Sequence, residues 1–369
     1  MSAESSPLSL AMSAESMGDL VTSKKVIIMT GPGGVGKTSS AAALAVGAAM
    51  VGINTCVVTI DPAKRLADAL GIETIGNSPV RINTFGTGNL YAVMLDADAT
   101  FDDLIVQYAS TPDQAAKILK NKVYQNLTKN LSGIQEYMAM EKLFELHNDP
   151  RFGLLIVDTP PSSNALDFLD APRKLIGFLD NKVFRLIMNP GPAFLRPVSF
   201  AARAVLKTIS RVIGSEVVDE AVAFFQDFEG MEDGFRTRAE SVQALLHQDD
   251  SAFVLVTAPR GDTVKETADF GIRLRGFGFG IAGLISNRHT PNFKTLPDSL
   301  GEIITQLGET DRLLLVENHT SMDQLRRSEE IELDAILNEL KPPRVARIPM
   351  LSRDIADIED LAKMAKYLI

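Results

Sequence analysis

The sequence predicts an α/β fold: a doubly wound, mostly parallel sheet with an inserted helical sub-domain. Three observations carry that prediction. Short apolar runs alternate with longer segments of helical periodicity. A glycine-rich octapeptide follows the first apolar run. Two long stretches then break the alternation, with helical periodicity and no convincing strand. Strand–helix alternation requires crossover connections, and these set strands parallel.

The strand candidates are Lys25–Thr30, Thr55–Ile60, Leu90–Leu95, Leu154–Asp158, Phe253–Thr257, Ile281–Ser286 and Arg344–Ile348. Most are apolar at consecutive positions, the pattern of strands covered on both faces. Helices fill the intervals, for instance the alanine-rich Thr38–Met50. The stretches without strands, about 100–148 and 171–248, make the expected helical sub-domain. Within the second, Asn181–Ser215 carries six Lys or Arg and no Asp or Glu. That segment reads either as a solvated basic helix face or as a surface for an acidic, apolar or lipid-like client. Residues 1–23 are rich in Ser, Ala and Met and read as a disordered tail, not a secretory signal. Residues 24–369 form the expected folded domain.

Composition narrows the function classes. The chain has 369 residues, 45% of them hydrophobic, enough for a large buried core. A net charge of −10 disfavours non-specific nucleic-acid binding. The single cysteine, Cys56, cannot make an internal disulfide or a zinc cluster. No apolar run reaches the ~20 residues of a membrane-spanning helix. These features lead us to expect a cytoplasmic protein.

The octapeptide Gly31-Pro32-Gly33-Gly34-Val35-Gly36-Lys37-Thr38 fits G-x-x-x-x-G-K-[ST], after a strand and opening a helix. Glycines let backbone N–H groups turn inward, and those donors with the helix N-terminus bind phosphate oxygens. Gly31, Gly33, Gly34, Val35, Gly36, Lys37, Thr38 and Ser39 are therefore the expected phosphate-binding set. Lys37 should reach the β- and γ-phosphates, and Thr38 should ligate Mg²⁺. The chain is thus a P-loop nucleotide-binding protein by sequence. Two strand candidates end in aspartates, at Asp61-Pro62 and Asp158-Thr159. Ligands bind at the carboxyl ends of strands in open α/β sheets. Asp158 suits the Mg²⁺ water shell, and Asp61 suits orientation of an attacking water. Either could instead cap a helix. Ile281–Ser286 leads into Asn287-Arg288-His289 without the Asp that pairs with guanine, which favours ATP over GTP. Asn287 as a plain turn residue is the alternative.

These motifs resemble the anion-transporting ATPases, which include arsenical-pump-driving and tail-anchored-protein targeting ATPases of the SIMIBI class. The resemblance rests on the loop, on Thr59–Leu66, on Asp158–Pro161 and on Ala165–Pro172. Asn287-Arg288 and Ile348-Pro349-Met350 extend it over about residues 24–369. It implies that Asp61 belongs to switch I, that Asp158 is the Walker B acid, and that Asn287, Arg288 and Pro349 serve the adenine pocket. It also implies ATP and Mg²⁺ at a dimer interface that closes with ATP and opens on hydrolysis. A hydrophobic or membrane-protein client would follow the helical sub-domain.

Three departures qualify the resemblance. Pro32 stands where most of the family has a lysine that reaches the partner's nucleotide, and proline carries no charge. Some bacterial paired-subunit members share that absence. Cys56 alone does not make an arsenite site. No Cys-x-x-Cys pair exists, so zinc-held dimerisation is not expected.

Three readings follow. The first is an ATP-hydrolysing switch, as homodimer or heterodimer. The second is a nucleotide-binding regulatory subunit that pairs with a lysine-bearing homologue. The third is a membrane-associated ATPase, which the acidic C-terminal helix expected over Asp354–Ile369 argues against. Met138, Met140, Phe178, Phe184, Phe224 and Phe225 could line a client groove or simply pack a core.

Overall fold

The seven apolar runs form strands of one eight-stranded sheet, ordered β3-β4-β2-β5-β1-β6-β7-β8. The computed structural model describes residues 16–60, 65–84, 86–130, 133–180, 220, 223–291 and 307–369. The strands are β1 (Val26–Thr30), β2 (Thr55–Thr59), β3 (Val80–Ile82), β4 (Leu90–Met94), β5 (Leu154–Asp158), β6 (Ser251–Thr257), β7 (Ile281–His289) and β8 (Val345–Pro349). Every pairing is parallel except β3 with β4. Strand β3 is absent from the sequence reading. Its three residues include two exposed ones, so it has no apolar run to betray it.

Alternate side chains of the central strands feed two cores. Ile27 and Met29 of β1 face one side, with Ile156 of β5 and Val254 of β6. Val26 and Ile28 face the other, with Leu155 and Leu255. Burial on both faces is why these strands read as continuous apolar runs.

On the first face lie α1 (Met17–Ser23), α2 (Lys37–Met50), α3 (Arg65–Leu70) and, last in the chain, α12 (Ile358–Ala365). Helix α1 corrects the end of the expected tail, residues 16–23, while residues 1–15 lie outside the described residues. Met17, Leu20 and Val21 are buried in the core, and Ser16 caps the helix by accepting from the Gly18 N–H. Seven residues give too short a periodic signal to separate such a helix from a tail. The terminal helix is also shorter than expected, eight residues between its Asp357 cap and Lys366.

The helical sub-domain comprises α4 (Ala97–Tyr108), α5 (Pro112–Lys120), α6 (Lys122–Asn130), α7 (Ile134–His147), α8 (Ser162–Leu179) and α9 (Glu232–Leu246). It has its own core, built around Phe101, Tyr124, Tyr137, Phe224, Phe228 and Phe235. A buried ion pair ties α7 to α9. Arg238 Nε donates to Glu141 Oε2 at 2.7 Å, and the Tyr137 hydroxyl donates to the other carboxylate oxygen. Burial raises the Glu141 carboxyl above its ordinary value, while Tyr137 and Arg238 oppose that shift. Asn181–Ser215 lies outside the described residues.

The second face is completed by α10 (Gly261–Gly276) and α11 (Glu309–Leu340). Helix α11 is 32 residues long. Only its C-terminal part packs on the sheet, through Leu333, Ile336 and Leu340. Residues 309–318 are all exposed. No helix among the described residues is long and apolar enough to cross a membrane.

Candidate nucleotide site

The octapeptide leaves the central strand β1 between β5 and β6, where the strand order reverses. Two of its glycines are required by close approach. A Cβ on Gly31 would lie 2.0 Å from the Val256 carbonyl oxygen of β6. A Cβ on Gly36 would lie 2.2 Å from Asn287 Nδ2, and its φ of +89° is disfavoured for other residues. Gly33 and Gly34 are exposed, and a Cβ on either would meet nothing within 4 Å. Gly36 also caps α2 without any side-chain hydrogen bond. The first-turn N–H donors of α2, including that of the half-buried Ser39, thus have no side-chain cap, a suitable end for a phosphate.

The polar side chains converge on the loop. Lys37 is buried and donates from Nζ to the Pro32 carbonyl at 2.8 Å. Thr38 donates from Oγ1 to Asp158 Oδ2 at 2.7 Å. Thr59, the last residue of β2, donates to the same oxygen at 3.2 Å. Asp158 therefore joins the loop to the ends of two strands while itself buried. A hydroxyl and a carboxylate oxygen side by side are hard donors that fit Mg²⁺. The residue expected to orient water, Asp61, lies outside the described residues. Ile60, just before it, donates its N–H to the Asp158 carbonyl at 3.1 Å.

The residues expected to border a base lie at the ends of β7 and β8. Asn287 donates from Nδ2 to the Val35 carbonyl at 2.9 Å and accepts the Arg288 N–H at 2.9 Å. Its amide clasps the phosphate loop, and the Val35 bond uses one of two donors. Arg288 adopts φ +63° and donates from Nη1 to the Gly34 carbonyl at 3.3 Å. Pro349 pairs in register with His289, and Met350 N donates to the His289 carbonyl at 2.7 Å. Asn287 and Arg288 therefore sit against the loop, and Pro349 pairs with the His289 that follows them.

The sequence model of the anion-transporting ATPases matches residues 24–299. The chain belongs to the anion-transporting ATPase family. It is 25% identical over 360 residues to ATPase ARSA1 of Chlamydomonas reinhardtii, covering 91% of this chain and 41% of that protein. It is 30% identical over 153 residues to ATPase GET3 of Malassezia globosa, covering 42% of this chain and 44% of that protein. Against ATPase get3 of Aspergillus terreus it is 23% identical over 347 residues, covering 93% and 90%. The chain thus matches less than half the length of the first two relatives and most of the third.

Within this ATPase family fold, the sequence reading missed Thr59. A polar residue at the last position of a mostly apolar strand, two before Asp61, was the signal available. Cys56 lies buried in β2, and burial pushes its thiol up to about 12. Of the groove candidates, Met138, Phe178, Phe224 and Phe225 line one apolar cavity of about 480 Å³ in the sub-domain. Met140 packs under the sheet instead, and Phe184 lies outside the described residues.

Proposed function

We propose that this chain binds and hydrolyses ATP with Mg²⁺, and works as a dimeric conformational switch that couples nucleotide state to a protein client or partner. The observation that carries the reading is the Thr38–Asp158 hydrogen bond, which joins the start of α2 to the end of β5 beside Thr59. In this reading Thr38 and Asp158 hold Mg²⁺, Asp158 through water. The metal, when bound, offsets phosphate charge. Lys37 exchanges the Pro32 carbonyl for the β- and γ-phosphates. Asp61 orients the attacking water. Gly31, Gly33, Gly34, Val35, Gly36 and Ser39 cradle the phosphates, and Asn287, Arg288 and Pro349 border the adenine. The client would be hydrophobic, which the aromatic cavity of the sub-domain supports. The setting is cytoplasmic, without nucleic acid or zinc.

The test is a phosphate-release assay on Lys37→Ala, with turnover expected to fall to background. Turnover at the wild-type rate in that variant would sink the reading. Pro32 favours a second one, a nucleotide-binding regulatory subunit that pairs with a lysine-bearing homologue. Robust turnover by the purified chain alone contradicts that alternative.

A further inference from the structure

The turn that closes the base side of the phosphate loop is held from behind by a helix 39 residues further along the chain. Glu329 of α11 is buried, and both its carboxylate oxygens are spent on one residue. Oε2 accepts the Thr290 N–H at 2.7 Å, and Oε1 accepts the Thr290 hydroxyl at 2.9 Å. The same carboxylate lies 3.9 Å from His289 Nδ1, while His289 Nε2 and Ser286 Oγ are 2.6 Å apart. Thr290 follows the segment Asn287–His289 directly. That segment contains the left-handed Arg288 and the two side chains bonded to the Val35 and Gly34 carbonyls. A left-handed arginine costs free energy and persists only where its surroundings over-determine it. The grip of Glu329 on the next backbone N–H but one supplies such a constraint.

We propose that Glu329 is a positioning residue for the nucleotide site. It fixes the turn 287–290 so that Asn287 and Arg288 close on the phosphate loop. The proposal rests on the ATP-binding reading and assigns a part of that site to α11, which touches none of the loop residues through Glu329 itself. Its action is on affinity, because it shapes the rim of the site and not the Thr38–Asp158 end where phosphate chemistry would occur.

The experiment titrates a fluorescent ATP analogue into the full chain and measures turnover, for wild type, Glu329→Ala, Glu329→Gln and Thr290→Val. Removing the carboxylate leaves a buried N–H without its partner, which should raise Kd and KM by about tenfold in Glu329→Ala. Its kcat should stay within about twofold, since the interactions lost are made equally in ground and transition states. Glu329→Gln should restore affinity, because its carbonyl can accept the Thr290 N–H and its amide can donate to the Thr290 hydroxyl. Thr290→Val loses one bond and should weaken binding by about threefold. A merely structural role would lower Tm in these variants without the KM-against-kcat split. Should Glu329→Ala fail to fold, Thr290→Val carries the test. Unchanged affinity in a folded Glu329→Ala or, failing that, in Thr290→Val overturns the proposal while leaving the ATP-binding reading intact. A wild-type chain that does not take up the analogue overturns both.

Discussion

Gly36 shows how a single residue joins backbone geometry to the site. Its φ of +89° and the 2.2 Å approach of Asn287 Nδ2 to a Cβ placed there act together. Gly36→Ala must relax one or both. We expect a loss of about 2 kcal/mol in stability by urea titration, from backbone strain alone. ATP-analogue affinity should fall with it, because relief comes by moving Asn287 off the Val35 carbonyl. Affinity and stability both equal to wild type would contradict the geometry. The glycines of this loop were legible because the motif fixes their spacing. Thr59 and Glu329 were not. Thr59 reaches Asp158 across a strand pair, and Glu329 reaches Thr290 from another element, so neither contact leaves a local pattern.

Among elements, the sub-domain helices depend on a charged pair as well as on aromatic packing. Arg238 of α9 pairs with Glu141 of α7, and its guanidinium sits 4.1 Å from the Phe144 ring centroid. Glu141 is 1% exposed. Arg238→Met should therefore destabilise the fold by about 3 kcal/mol, because it strands a buried carboxylate. Urea melts should show a smaller loss in the double variant Glu141→Leu, Arg238→Met, where neither charge remains. Equal losses in the two would refute the pairing argument. The helices and the parallel strands were legible at this scale, since each has a long apolar period or run. Helix α1 and strand β3 were not. Each is short, and each owes its form to a partner: α1 to the core face it covers, β3 to the edge of β4. The exposed first turns of α11 carry Leu313 and Val316, at 65% and 62% exposure. The sequence did not separate that half of the helix from the half that packs, because both are apolar in places.

Across the whole molecule, two histidines make stability depend on pH. Burial holds His289 below its ordinary value, with Glu330 and Glu329 pulling it up and Arg347 pushing it down. Burial also lowers His147, against Asp250 and with Lys25. The unfolded chain therefore takes up these protons first, as pH falls through about 6.5. Stability rises with pH wherever the unfolded state binds more protons. This contribution is full above about 6.5 and is lost as pH falls from there toward the depressed folded values. Glu141 acts in the opposite sense, because burial raises it. Comparing wild type with a His147→Gln, His289→Gln double variant isolates the histidines. Urea melts at pH about 7.5 and about 5.5 should show the larger acid-induced loss in wild type. An equal or smaller loss in wild type would contradict the sign.

By itself the sequence determined the α/β class, a phosphate loop between the first strand and the helix after it, and the family. These follow from local information: apolar runs of strand length, helical periods, and a motif whose residues are adjacent in the chain. Tertiary structure decided what happens around that loop. It set Asp158 between the hydroxyls of Thr38 and Thr59, turned the Asn287 amide onto Val35, and ran α11 back to grip Thr290 through Glu329. Those contacts join residues far apart in sequence, and only the order of strands in the sheet brings them within hydrogen-bond reach.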